Sequence, residues 1–297
     1  MMHYQAYGLR LESDLPMPEF LEANHPSAQP DFVIKQGESS SPRSSKTTQT
    51  GPFTFIDGSI LWFRIPGLVD FEMNSGREIR YSPSPGIDND TIRLILLGLP
   101  VAALLVARGI TVLNGAAFAV GSNTYLLLGR RGPTRADLVA LCLDGDCDIL
   151  SDKFIALGSE NRVLIGNRRI EMPGWIEHRG LNDRIHLTRS RKELNRLSWI
   201  QDYSPTSFQS ATTVAYLVDG GISARADAGA SKVRGLDKQR ALLSSLYKYK
   251  TLEPLYRDSG VLEMLVHFSA NLDLYRIPSS LADGFDWRDH IRSLTRP

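Results

Sequence analysis

The 297-residue chain reads as an α/β protein with a β-rich N-terminal portion and a helical C-terminal segment. Three observations predict this. Residues 124–129, TYLLLG, form a continuous apolar run ending in glycine, the pattern of a strand buried on both faces of a sheet. A glycine-containing loop follows, and then the helical stretch ADLVALCL (136–143). A polar turn and a second strand, ILSD (149–152), complete the run. Strand, glycine loop, helix and strand make the unit from which phosphate-binding α/β domains are built.

The remaining elements fall into order around that unit. Residues 1–90 are β-rich, with short strands at DFVIK (31–35), FTFI (53–56), ILWFRI (60–65) and REIRY (77–81). Between the first two lies the Ser/Thr-rich stretch 37–51, which has too few apolar residues to bury a face and is expected to be a flexible loop. Residues 91–230 hold the α/β core. Asp88 to Asp90 offer an N-cap for a helix over Thr91 to Arg108, whose apolar run Leu94 to Ala107 includes Pro100. That run is shorter than the about 20 residues a bilayer span requires, so a buried core helix is expected. GITVLNG and AAFAVGSN predict two short strands with a turn at 121–123. Residues 231–297 are mostly helical, with one short strand signal at LDLYRIP. A continuous helix is expected over Lys232 to Lys250, with Leu236, Leu242, Leu243 and Leu246 as its core positions.

Composition narrows the function classes. Lys and Arg number 34 and Asp and Glu 33, a balance that argues against a nucleic-acid or membrane-surface binder. The N-terminus lacks a basic segment followed by an apolar one, so no signal peptide is expected and the predicted location is cytoplasmic. The two cysteines, Cys142 and Cys147, give no disulfide framework and are expected to be reduced. Six scattered histidines have no metal-ligand spacing, and no metal is predicted. Asp144, Asp146 and Asp148 alternate like the start of a calcium loop. Ile149 and Ile155 occupy its glycine and glutamate positions, so a solvated turn is expected.

The run TYLLLGRRGPTRADLVAL, with VLNGAAFAVGSN before it and CDILSDKFIAL after it, resembles the HPr serine kinase family. The likeness is greatest to the compact members found beside ribosomal-peptide biosynthesis genes. YGLRLESDLPMPEF, WFRIPGLVDFEM and LDLYRIPSSLADGFDWRDHI resemble that family's opening, middle and closing segments. The resemblance implies a P-loop fold like the HPr kinase C-terminal domain. Gly129, Arg131, Gly132, Thr134 and Arg135 would then line the nucleotide. Asp152 corresponds to the first of two adjacent acids at a strand end, one of which serves the family as base. Asn114 corresponds to a family histidine.

The loop departs from its pattern. A Walker A loop is G-x-x-x-x-G-K-[ST]: backbone amides surround the phosphates, lysine neutralises them and the hydroxyl holds magnesium. Here Thr134 replaces the second glycine, Arg135 the lysine and Ala136 the hydroxyl, while Pro133 removes an amide donor and Asp137 adds a negative charge. Lys153 stands where the second acid would be. Asparagine at 114 hydrogen-bonds but exchanges no proton near neutral pH. Asp152 is read either as a retained site residue or as a strand-end carboxylate satisfied by nearby backbone donors.

Two functions follow from the resemblance. One is a pseudokinase or accessory protein that binds a peptide or small protein, with no cofactor or only weak ATP and magnesium. The alternative is an atypical ATP-dependent serine kinase using Arg135 and Asp152. Homo-oligomerisation is left open. Residues 162–196 carry nine Lys/Arg against four Asp/Glu, and Lys232 to Lys250 carry six against Asp237 alone. Either segment is a solvated face or a docking surface for an acidic partner.

Overall fold

The computed structural model describes residues 1–23, 29–40, 46–129, 147–173, 185–191, 196–201, 212, 214–218, 230–277, 289 and 293. The chain is mixed α/β, with many strands in mixed sheets and few helices. It divides into two units, Met1–Val112 with Tyr247–Met264, and Leu113–Leu246 with Leu265–Pro297. The described helices are α1 Asn89–Leu96, α2 Leu99–Ala107, α3 Gly235–Ser244, α4 Tyr249–Asp258 and α5 Val261–Ala270.

The first unit is organised by period-two alternation. Its strands are β1 Met2–Ala6, β2 Leu9–Ser13, β3 Leu21–Glu22, β4 Phe32–Gln36, β5 Thr48–Gly51, β6 Thr54–Asp57, β7 Ile60–Ile65, β8 Val69–Asn74 and β9 Glu78–Pro83. They form one sheet in the order β3-β1-β2-β4-β9-β8-β7-β6-β5. β5 to β9 are a meander, and β4 joins it parallel to β9. Phe32, Ile34, Leu61, Phe71, Met73 and Ile79 are buried, and neighbours such as Val33 and Asp70 are half-buried on the other face. The stretch 37–51, expected to be a loop, ends instead in β5, paired with β6. Its other end is held as well, because the Ser40 amide donates to the Glu72 carboxylate at 2.6 Å.

The helix expected over residues 91–108 is two helices bent by 41°. Asp88 caps the first as expected, accepting from the Thr91 amide at 2.8 Å and the Thr91 hydroxyl at 2.9 Å. Pro100 sits in the first turn of α2. A proline there lacks the amide that would continue the ladder, and its ring collides with the carbonyl four residues earlier, so the chain restarts. Every residue from Leu99 to Val106 is buried, and α2 packs on β7, β8, β9 and α4. That burial agrees with the core-helix expectation. No single helix among the described residues is long and apolar enough to cross a membrane.

In the same unit, the Tyr256 hydroxyl of α4 lies 3.1 Å from the Val112 carbonyl and 3.0 Å from that of Tyr247. Burial is the main reason its phenol is pushed far above the ordinary tyrosine range. A neutral tyrosine therefore anchors the helix.

The second unit contains β11 Gly115–Val120, β12 Asn123–Leu128, β13 Asp148–Ser151, β19 Val214–Val218, β20 Ser231–Val233 and β21 Asp273–Ile277. The boundary between units falls within β10, Thr111–Leu113. The sheet order is β13-β11-β12-β19-β21-β20. TYLLLG thus supplies an interior strand, as its double-sided apolar pattern predicts, and all of β11 is buried. The hairpin between β11 and β12 turns at 121–122, also as expected. β14 Ile155–Leu157 pairs with β15 Val163–Leu164. β16 Arg169–Pro173, β17 Ile185–Arg191 and β18 Arg196–Gln201 form a separate antiparallel sheet.

The single helix expected from Lys232 to Lys250 is corrected. Ser231–Val233 is strand β20, paired with β21, and α3 stops at the cap Ser245. Leu246 then bridges to Leu113, and Lys248 takes a left-handed conformation before α4. Backbone pairing of buried residues outweighs helix continuation there, since an unpaired buried amide is costly. Leu242 and Leu246 are core residues, but Leu236 and Leu243 are exposed, contrary to expectation. Cys147 is disulfide-bonded and buried, which corrects the reduced-thiol expectation; the other cysteine, Cys142, lies outside the described residues.

Candidate functional site

Strand direction gathers the candidate residues at one end of the second sheet. β11 runs antiparallel to both β12 and β13, so those two point the same way. β19 and β21 are parallel to β12. Four strands therefore present their carboxyl ends together, with the start of β11 between two of them. Ligands in α/β sheets bind outside such carboxyl ends, where loops leave the sheet.

Gly129 follows the last residue of β12. Its φ of +121° lies where glycine is favoured, and its amide donates to the Asn114 carbonyl at 3.0 Å. The Asn114 amide in turn donates to the Ser245 carbonyl at 2.6 Å. Asn114 is thereby fixed through its backbone on both sides. Its half-buried side chain makes no hydrogen bond among the described residues.

Gly115 explains the tight fit beside it. A Cβ at this position would stand 2.2 Å from the Leu127 carbonyl oxygen and 3.1 Å from Ile155 Cδ1. Only glycine allows β11 and β12 to approach this closely immediately after Asn114.

Asp152 stands one residue beyond β13 and is 3% exposed. Ser151 pairs with Ala117, and the Ser151 hydroxyl donates to the Phe154 carbonyl, closing the turn that carries Asp152. β12 and β13 flank β11, so Asp152 and Gly129 lie on either side of it, with Asp152 at the level of Ala116 and Gly129 at that of Asn114. The sheet thus brings Asn114, Gly129 and Asp152 to one end of its strands. Arg131, Gly132, Thr134 and Arg135, with Pro133, Ala136 and Asp137, lie outside the described residues.

Tyr125, Tyr216 and Tyr275 lie on three adjacent strands, with the Tyr216 and Tyr275 rings 6.2 Å apart. Burial, helped by the neighbouring phenols, pushes Tyr216 far above the usual range, so it stays neutral and serves as packing beneath the strand ends. Among the described residues no group of three or more His, Cys, Asp and Glu is placed to hold a metal ion. Asp148, the described member of the alternating aspartates, is exposed at the start of β13.

Two contributors were not singled out in the sequence. Gly115 is legible only as a glycine after Asn114. Ser245 carries no signal at all, because its role is a backbone carbonyl delivered by the end of α3.

No family model matches the chain, and no curated protein matches it.

Proposed function

We propose that the chain is an HPr serine kinase-like protein with a P-loop-type core, in which the nucleotide loop no longer works and the fold serves to bind a peptide or small protein. The observation supporting this most directly is the convergence of Asn114, Gly129 and Asp152 at the carboxyl ends of co-directional strands. A phosphate-binding loop leaves a sheet at such a place, and Gly129 has the backbone freedom its first position needs.

The donor set fits Mg·ATP poorly. Ala136 has no oxygen for magnesium, Pro133 has no amide for phosphate, and Lys153 replaces the second acid. Asp137 repels phosphate where a helix N-terminus would otherwise attract it. Arg135 alone is not disabling, because a guanidinium still meets phosphate oxygens. Losing a metal contact and one or two charge-assisted bonds, at about 1.5–3 kcal/mol each, weakens binding by orders of magnitude.

Calorimetric titration of the full chain with Mg·ATP tests the reading. The expected result is no saturable binding at micromolar nucleotide, with recovery only when T134G, R135K and A136S are combined. Micromolar affinity in the unmodified chain would favour the atypical serine kinase, with Arg135 on phosphate and Asp152 at the acceptor hydroxyl.

A further inference from the structure

We propose that the outward face of α3 docks an acidic, leucine-bearing helical segment of a partner protein. This deepens the partner side of the proposed function and rests on that reading only for the partner's being a peptide or small protein. Leu236, Arg240 and Leu243 are spaced i, i+4 and i+7, so they form one stripe along the helix. Ala241, Leu242 and Ser245 hold the opposite side against the core. Leu236 is 69% exposed and Leu243 is 43% exposed. Leu236 and Leu243 therefore leave apolar surface on the face turned away from the helix's own core, available to an apolar partner.

Charge selects the occupant. Residues 231–244 carry Lys232, Arg234, Lys238 and Arg240 against Asp237 alone. Lys232 is engaged by Asp273 at 2.8 Å, and the Lys238 ammonium donates to the Leu272 carbonyl at 3.0 Å. Arg240 remains on the leucine stripe, between Leu236 and Leu243. Asp237 meets Arg240 at 3.5 Å, but both are more than 70% exposed, so that pair yields readily to a better partner. A second copy of this chain would bring like charge to like charge. An amphipathic helix with leucines flanked by glutamates complements both the apolar stripe and Arg240.

Position supports the assignment as well. α3 ends at Ser245, whose carbonyl accepts from Asn114, and the Asn114 carbonyl accepts from Gly129. A segment seated on Leu243 is therefore one short hydrogen-bonded chain from the strand-end residues.

Fluorescence anisotropy with a labelled synthetic helix tests this, using a 14-residue peptide with leucines at i, i+4 and i+7 and glutamates beside them. The full chain should bind it saturably, and binding should weaken at least tenfold in Leu236→Ser/Leu243→Ser and in Arg240→Glu. A lysine-flanked version of the peptide should bind the wild type at least tenfold more weakly and should gain affinity for Arg240→Glu. Equal binding of the two peptides, undiminished binding by the double serine variant, or no saturable binding would each overturn the proposal. Loss of a dimer in the double variant, seen by sedimentation, would overturn it in favour of self-association. Both leucines are exposed, so the variant should melt with the wild type. Its Mg·ATP titration should match the wild type, which keeps failure here separate from failure of the nucleotide reading.

Discussion

The Gly129 amide and the Asn114 carbonyl meet at 3.0 Å, joining the residue that follows β12 to the residue that precedes β11. This bond extends the β11–β12 ladder one step beyond the Gly115–Leu128 pair. The ladder holds both residues at the strand ends in a fixed relation.

Gly115→Ala places a methyl 2.2 Å from the Leu127 carbonyl oxygen, so the two strands must separate. Overpacking of this kind costs about 3 kcal/mol. Gly121→Ala is the control, because its φ is +58° but nothing lies within 4 Å of the added Cβ. It should cost about 1–2 kcal/mol, from backbone strain alone. Urea unfolding of both variants gives the comparison, and equal losses would contradict the close-approach account.

Leu242 and Leu243 are neighbours in sequence with opposite surroundings, 0% and 43% exposed. Leu242→Ala should destabilise by about 2–5 kcal/mol through the cavity it leaves. Leu243→Ala should stay within about 0.5 kcal/mol of the wild type. Thermal and urea melts of the pair would show a similar loss in both if the stripe were core.

Removing the cap of α1 in Asp88→Ala deletes bonds to the Thr91 amide and hydroxyl. The expected cost is about 1 kcal/mol. Asp88→Asn should recover most of it, since an amide oxygen accepts the same backbone bond. No difference between Ala and Asn would exclude a capping role.

Glu78 gives a pH dependence of definite sign. Burial acts to raise its pKa, but the Lys35 hydrogen bond and the charges of Arg80 and Lys35 outweigh it and hold the carboxyl below 4.5. The Lys35 ammonium stands 2.7 Å away. A carboxylate depressed in the folded state contributes stability above its unfolded pKa and loses it as pH falls through the folded value. Glu78→Gln should therefore lose up to about 1 kcal/mol at pH 7, and the gap should close below about pH 4. A gap that widens on acidification would reverse the assignment.

Local chemistry made much of the fold readable. The double-sided apolar run at 124–128 needed a strand buried on both faces, and it became β12. Asp88 was readable as a cap because its side chain serves an amide three residues away. The bend before α2 was also local, since Pro100 disrupts the turn that contains it, although the apolar run concealed it. Among the candidate residues, the sequence offered Asn114, Gly129 and Asp152 only as separate positions.

Their meeting is non-local. Strands β11, β12 and β13 had to pair in one order and direction before residues 114, 129 and 152 could share one end of the sheet, and no stretch of sequence encodes that order by itself. The fate of the leucines in 236–246 was decided in the same way. The helix pattern treats Leu236, Leu242, Leu243 and Leu246 alike, because hydrophobicity says which residues seek burial and not which face finds a neighbour. Only when the backbone of Ser245 and Leu246 paired with Asn114 and Leu113 was the rotation of α3 set, turning Leu242 inward and leaving Leu236 and Leu243 in solvent.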